Sequence, residues 1–148
     1  MWRGRLPHWR ADDVRYYATF RHKRALDDQE RLTLLSQLLR PEGKKWDIEV
    51  ICVLPERTEL IFSVRTGKGD QPYELADILE KAKTKAGKLI IKKSGERFPP
   101  LYNESYDRII RDDAEFEERW QAIVGSPVEF ELVDDPSDYE SLWVLGAS

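Results

Sequence analysis

The chain has 148 residues, 41% hydrophobic, 11% aromatic and 35% charged, with a formal net charge of −4. That length suits one domain with one sizeable core, the apolar content is too high for a wholly disordered chain, and no apolar run approaches the roughly 18–20 residues of a membrane helix. A single cysteine, Cys52, leaves no internal disulfide framework or thiolate metal cluster, and the opening MWRGRLPHWR lacks the apolar segment of a secretory signal, so a soluble cytoplasmic protein is expected.

Residues 1–13 read as a basic arm. VRYYATFR (14–21) alternates on two faces and is rich in β formers, which predicts a strand. Asp27 or Asp28 can cap a helix to about Arg40, with Leu32, Leu35, Leu38 and Leu39 as its buried stripe, stopped by Pro41 and Gly43. Trp46–Leu54 reads as a second strand with Ile48, Val50, Cys52 and Leu54 on one face. Cys52 is then a small buried residue, not a nucleophile.

A third strand, Thr58–Arg65, places Leu60, Phe62 and Val64 on one face. Arg57, Glu59, Ile61 and Ser63 share the other. After the loop TGKGDQP, a helix over about 73–93 carries an apolar stripe of Leu75, Ile78, Leu79, Ala82, Ala86, Leu89 and Ile90. Lys81, Lys85, Lys88 and Lys92 fall in one sector beside that stripe, either as a basic ridge or as its ordinary solvated side. Tyr106–Arg111 can form a short strand. Asp112 and Glu115 then make a capping box for a helix with Phe116, Trp120, Ile123 and Val124 inward, stopped by Gly125 and Pro127. Val128–Val133 reads as a last strand.

The expected organisation is an arm over 1–13, an α+β domain over 14–133 and a tail over 134–148 packed on it. The order β-α-β-β-α-β-α-β has one connection too short for a crossover. It predicts a ferredoxin-like antiparallel sheet covered by helices.

The net charge conceals opposed blocks. Residues 1–24 carry +5, 25–79 carry −4, 80–97 carry +5 and 98–148 carry −10. Segregation of this kind permits a basic surface on an acidic molecule, or else only a solvated surface of varying sign. Part of the acidic block, from Asp112 to Glu118, opens a helix, where negative charge meets unpaired N–H groups.

Several segments in order and at consistent spacing resemble the REP-associated tyrosine transposases, a branch of the IS200-like single-strand transposases. They are LPHWR (6–10), Thr19-Phe20-Arg21, Leu54-Pro55 followed by ERTELIFSV, the long basic helix, NESYDRIIRD (103–112), Ser126-Pro127-Val128 and LVDDPSDY (132–139). The resemblance covers about residues 6–143. It implies a small antiparallel sheet backed by helices and a protein that recognises a folded single-stranded DNA end. It also implies a divalent cation on two histidines two residues apart, and a tyrosine nucleophile in the long helix.

At the positions matching the histidine pair this chain has Arg57 and Glu59. Glu59 could ligate Mg²⁺ or Mn²⁺, but Arg57 has no lone pair to offer. Its two histidines, His8 and His22, lie elsewhere. In the stretch Lys83-Thr84-Lys85-Ala86, Lys85 takes the place of the tyrosine. No Tyr occurs between Tyr73 and Tyr102, and Tyr102 or Tyr106 would need a different geometry.

The expectation is a catalytically degenerate transposase-like protein with no cofactor or metal, binding single-stranded or hairpin DNA without cutting it. Arg57 would take phosphate where the family has its cation, with Lys81, Lys85, Lys88 and Lys92 extending the charge. About four phosphate contacts would give a salt slope near −3 on a single strand. Arg3, Arg5, Trp9 and Arg10 form a basic, aromatic arm suited to backbone contact and stacking. The alternatives are an active metal-dependent single-strand transposase or endonuclease, a regulatory protein-interaction domain and another enzyme reaction. RNA in place of DNA, and a homodimer, stay open.

Overall fold

The computed structural model describes residues 14–146. The expected arm, with Arg3, Arg5, His8, Trp9 and Arg10, lies outside the described residues. The elements are β1 (Arg15–Arg21), α1 (Asp28–Leu39), β2 (Trp46–Val53), β3 (Arg57–Val64), α2 (Leu75–Ser94), β4 (Tyr106–Ile110), α3 (Asp113–Glu129) and β5 (Leu142–Val144). The strands form one antiparallel sheet in the order β4-β1-β3-β2-β5. Its first four strands have the ferredoxin-like arrangement that the element order predicts. Among the described residues no helix is long and apolar enough to cross a membrane.

Period-two alternation gives the sheet two faces, each with its own apolar layer. Ala18, Phe20, Ile48, Leu60 and Phe62 point towards α1 and α2, joined by Leu34 and Leu38 of α1 and Ile78, Leu79 and Ala86 of α2. Tyr17, Val50, Cys52, Ile61 and Ile110 point the other way, under Phe116, Trp120 and Ile123 of α3. Burying both faces explains why the second half of β2, Val50–Val53, is an uninterrupted apolar run.

Several local expectations change. A bulge between Ile48 and Val50 shifts the pairing of β2, so Ile48 faces α1 and α2 while Val50 and Cys52 face α3. The buried stripe of α1 contains Leu34 in place of Leu32. Leu89 on α2 is 47% exposed, and Lys83 is buried instead. Its ammonium lies 3.0 Å from the carbonyl oxygens of Tyr102 and Asn103, 2.9 Å from Ser105 Oγ and 4.7 Å from the Phe20 ring centre. Burial lowers its pKa, and the charges of Glu104 and Glu80 partly offset that.

The largest difference is at the carboxy end. α3 continues through Gly125 and Pro127 to Glu129, and there is no strand over 128–133. Pro127 falls in the last turn, where its missing N–H costs a single helical bond. The alternating Val128, Phe130 and Leu132 are left partly exposed beside a turn with Glu131 at φ 60°. The sheet edge is taken instead by β5 on β2, with the buried Tyr139 hydroxyl donating to Val53 O at 2.7 Å.

The helix caps follow the sequence more closely. Asp27 and Glu30 form a reciprocal capping box on α1. On α3 only half of the expected box forms: Asp112 accepts from the Glu115 N–H, while Glu115 accepts from the Arg111 N–H.

Candidate nucleic-acid interface

Arg57 and Glu59 project from β3 onto the α3 face of the sheet, as their spacing predicts. The register sets their neighbours. Glu59 pairs with Thr19, which pairs with Tyr106, and Arg57 pairs directly with Arg21. Residues paired across antiparallel strands share a face. The result is a cross-strand row Tyr106–Thr19–Glu59–Cys52, with an Arg21–Arg57 pair beside it at the end of the sheet. α3 covers the middle of this face and leaves that end open.

Glu59 is nearly enclosed, its side chain 13% exposed against 44% for Arg57. Its Oε2 accepts the Tyr17 hydroxyl at 2.8 Å, and its Oε1 is 3.8 Å from Arg57 Nη2. Ser126 Oγ also lies 3.4 Å from Oε1, but its one proton goes to Ala122 O at 2.8 Å, so that contact is the weaker. Burial, then the Glu59 charge and hydrogen bond, push the Tyr17 phenol up to about 12. Burial, then Glu59, likewise raise the Cys52 thiol to about 12. Neither is a nucleophile at neutral pH.

The arginines meet a different environment. Arg57 lies 5.1 Å from the centre of the Phe130 ring, which is 48% exposed. Arg21 is exposed and has no carboxylate partner among the described residues. Thr19, Arg21, Tyr102, Glu104, Ser105 and Tyr106 line an open groove of about 560 Å³, with Glu104 its one carboxylate. Two cations directly opposite on neighbouring strands repel each other in the absence of an anion. An anion between them gains two guanidinium forks.

The turn carrying Arg57 is fixed from the opposite face by His22. Pro55 O can only accept, so His22 Nδ1–H donates to it at 2.8 Å, and Nε2 accepts from Thr58 Oγ1 at 2.9 Å. Burial lowers the His22 pKa to about 4. The imidazole is a neutral brace.

A divalent cation of the kind the resemblance implies does not fit the pair. Arg57 has no lone pair, Glu59 gives one oxygen to Tyr17, and among the described residues no three His, Cys, Asp or Glu side chains converge as ligands.

The structure does not bring the lysines to this place. Lys81, Lys85, Lys88 and Lys92 sit on α2, on the opposite face of the sheet from Arg57 and Glu59. The expected single basic surface running from Arg57 along α2 is corrected to two surfaces separated by the sheet. A nucleophile at position 85 could not reach a phosphate at positions 57 and 59. Sequence reasoning missed Arg21, Tyr17, Ser126 and Phe130. Strand register would have found Arg21, whereas Ser126 and Phe130 depend on α3 running past Gly125.

No protein-family model and no curated protein matches the chain. Among solved structures, 89% of it matches 79% of a REP-associated tyrosine transposase bound to a REP hairpin, with a TM-score of 0.66 and 16% identity. It also matches a chain from Deinococcus radiodurans R1 with a provisional transposase assignment: 76% of this chain and 90% of that one, at a TM-score of 0.50 and 9% identity. The chain therefore has the fold of the REP-associated, IS200-like transposases, as its motifs implied.

Proposed function

We propose that this protein binds single-stranded or hairpin DNA on the open end of the α3 face and does not cleave it. The observation that carries this reading is the cross-strand Arg21–Arg57 pair with exposed aromatic rings near it, Phe130 against Arg57 and Tyr106 at the far end of the adjoining row. Two guanidinium groups suit a backbone phosphate, and the rings suit unpaired bases, which stack on aromatic side chains at about 1–3 kcal/mol each. The fold supports the same reading, because the solved relative is bound to a REP hairpin. The Arg57–Glu59 pair supports binding without cutting, since it cannot assemble the family's cation site. An arm carrying Arg3, Arg5, Trp9 and Arg10 would add to binding.

The test is fluorescence anisotropy with single-stranded, hairpin and duplex oligonucleotides over a salt series, beside a cleavage assay in Mg²⁺ and Mn²⁺. Salt-sensitive binding whose preference for unpaired DNA is lost in Arg57→Glu supports the reading. A covalent protein–DNA product overturns the non-cleaving part, and its loss in Tyr106→Phe would identify the nucleophile.

A further inference from the structure

The face opposite the Arg21–Arg57 pair carries a second concentration of charge. Arg40, Lys44 and Lys45 follow α1, Lys81 and Lys85 project from α2, and all five line one cleft of about 220 Å³ between the helices. Ile78 and Ala82 contribute its apolar lining. The turn presenting Lys44 and Lys45 is ordered by hydrogen bonds: both amides donate to Pro41 O at 2.9 Å, and Gly43 N donates to Trp46 O at 2.8 Å. Gly43 adopts φ +80°, which suits glycine.

Among the described residues that line this cleft there is no carboxylate. Several arginines elsewhere are paired, Arg15 with Asp113, Arg24 with Glu30 and Glu96, Arg65 with Asp47 and Arg108 with Glu115. Among the described residues Arg40, Lys44, Lys81 and Lys85 have no carboxylate within 4.0 Å, and Lys45 lies only over the Tyr73 ring, at 5.6 Å. The carboxyl end of α1 has no basic residue in its last turn, so its dipole accounts for attracting Arg40, Lys44 and Lys45. It does not account for Lys81 and Lys85, which belong to the first half of another helix. Five like charges lining one cleft repel one another, and a multivalent anion between them relieves that repulsion.

We propose that the α1–α2 cleft is a second backbone-phosphate site, and that the chain thereby holds two nucleic-acid segments on opposite faces of its sheet. The first segment rests on the function proposed above; the second site does not depend on it. Ammonium groups around a cleft whose lining holds no aromatic ring read charge, not bases, so this site is indifferent to sequence. The neighbouring depression, which adds Lys88 to Lys45, Lys81 and Lys85, also holds Glu74, Asp77, Glu80 and Tyr73, so the basic site ends at the cleft.

The test uses the full-length chain with donor- and acceptor-labelled hairpin oligonucleotides, read by energy transfer, with stoichiometry and oligomeric state from analytical ultracentrifugation. Two oligonucleotides per chain, with energy transfer, are expected. Arg40→Glu/Lys44→Glu/Lys85→Glu should abolish transfer and leave one oligonucleotide bound, its affinity changed less than about threefold. On single strands the lost site should carry a salt slope of about −2, from roughly three phosphates.

The milder Lys81→Gln/Lys85→Gln, checked for an unchanged thermal melt, should weaken transfer in the same direction. Saturation of the wild type at one oligonucleotide per chain overturns the proposal, as does undiminished transfer in the folded triple variant. Saturable binding of inorganic phosphate alone, with no second oligonucleotide, also overturns it in favour of a small-anion site. If Arg21→Glu/Arg57→Glu keeps one oligonucleotide and the triple variant keeps none, the cleft stands and the Arg21–Arg57 reading falls.

Discussion

The two faces of the sheet treat positive charge in opposite ways. On the α3 face Arg57 is tethered to a nearly enclosed carboxylate, which is itself held by Tyr17, and aromatic rings lie nearby. On the α1–α2 face five cations line a cleft and have no carboxylate partner among the described residues. The first arrangement sets a guanidinium between a carboxylate 3.8 Å away and an aromatic ring. The second gathers four lysine ammonium groups and the Arg40 guanidinium with no counter-ion among the described residues. A guanidinium beside aromatic rings suits one phosphate and its neighbouring bases, and a cluster of cations without rings suits backbone charge alone.

The largest effect that tests this contrast concerns the brace beneath Arg57. Folded His22 stays neutral down to about pH 4, while the unfolded chain binds that proton near pH 6.5. Its contribution is therefore complete above pH 6.5 and is lost as pH falls to about 4, amounting to as much as about 3 kcal/mol. Urea denaturation across that window should show the loss, and His22→Gln should flatten the profile relative to wild type.

Next comes Arg21→Glu/Arg57→Glu, for which oligonucleotide affinity should fall about 100-fold, close to 3 kcal/mol. Anisotropy titration measures this, and an unchanged affinity would place binding elsewhere. Lys83→Met should cost about 1–3 kcal/mol in urea by releasing the 102–105 segment, and should weaken binding through Tyr106 without touching the cleft. The smallest change is Glu59→Gln. Removing the carboxylate beside Arg57 should tighten oligonucleotide binding by about threefold, less than 1 kcal/mol. It should also lower the Tyr17 pKa from about 12, read from phenolate absorbance.

Much of the fold is legible in the residues themselves. Asp27 and Glu30 announce α1, the seven-member stripe announces α2, and the short Pro55-Glu56 connection forces β2 and β3 into a hairpin. The end of α3 is not legible. Gly125 and Pro127 normally stop helices, and Val128, Phe130 and Leu132 alternate like a strand, but β5 occupies the edge such a strand would need.

The site is only partly readable, for a related reason. Spacing along β3 places Arg57 beside Glu59 on one face. Which helix covers that face depends on long-range packing, so the α2 lysines could be assigned to the wrong side of the sheet. Lys83 shows the limit of helical periodicity: it lies on the buried side of α2 because the 102–105 carbonyls are there to receive it.

The bulge at Glu49 has a consequence for the whole carboxy end. One additional residue reverses the phase of β2, giving Ile48 to the α1–α2 layer and Val50, Cys52 and Leu54 to the layer under α3. The Glu49 carbonyl accepts the Leu145 N–H at 3.0 Å, so the odd residue is also an anchor for the chain that follows β5. Removing it would return Cys52 and Leu54 to the opposite layer and take away the acceptor that holds Leu145. A single inserted residue thus acts as a gear between the two halves of the molecule, setting both which core β2 serves and where the last strand attaches.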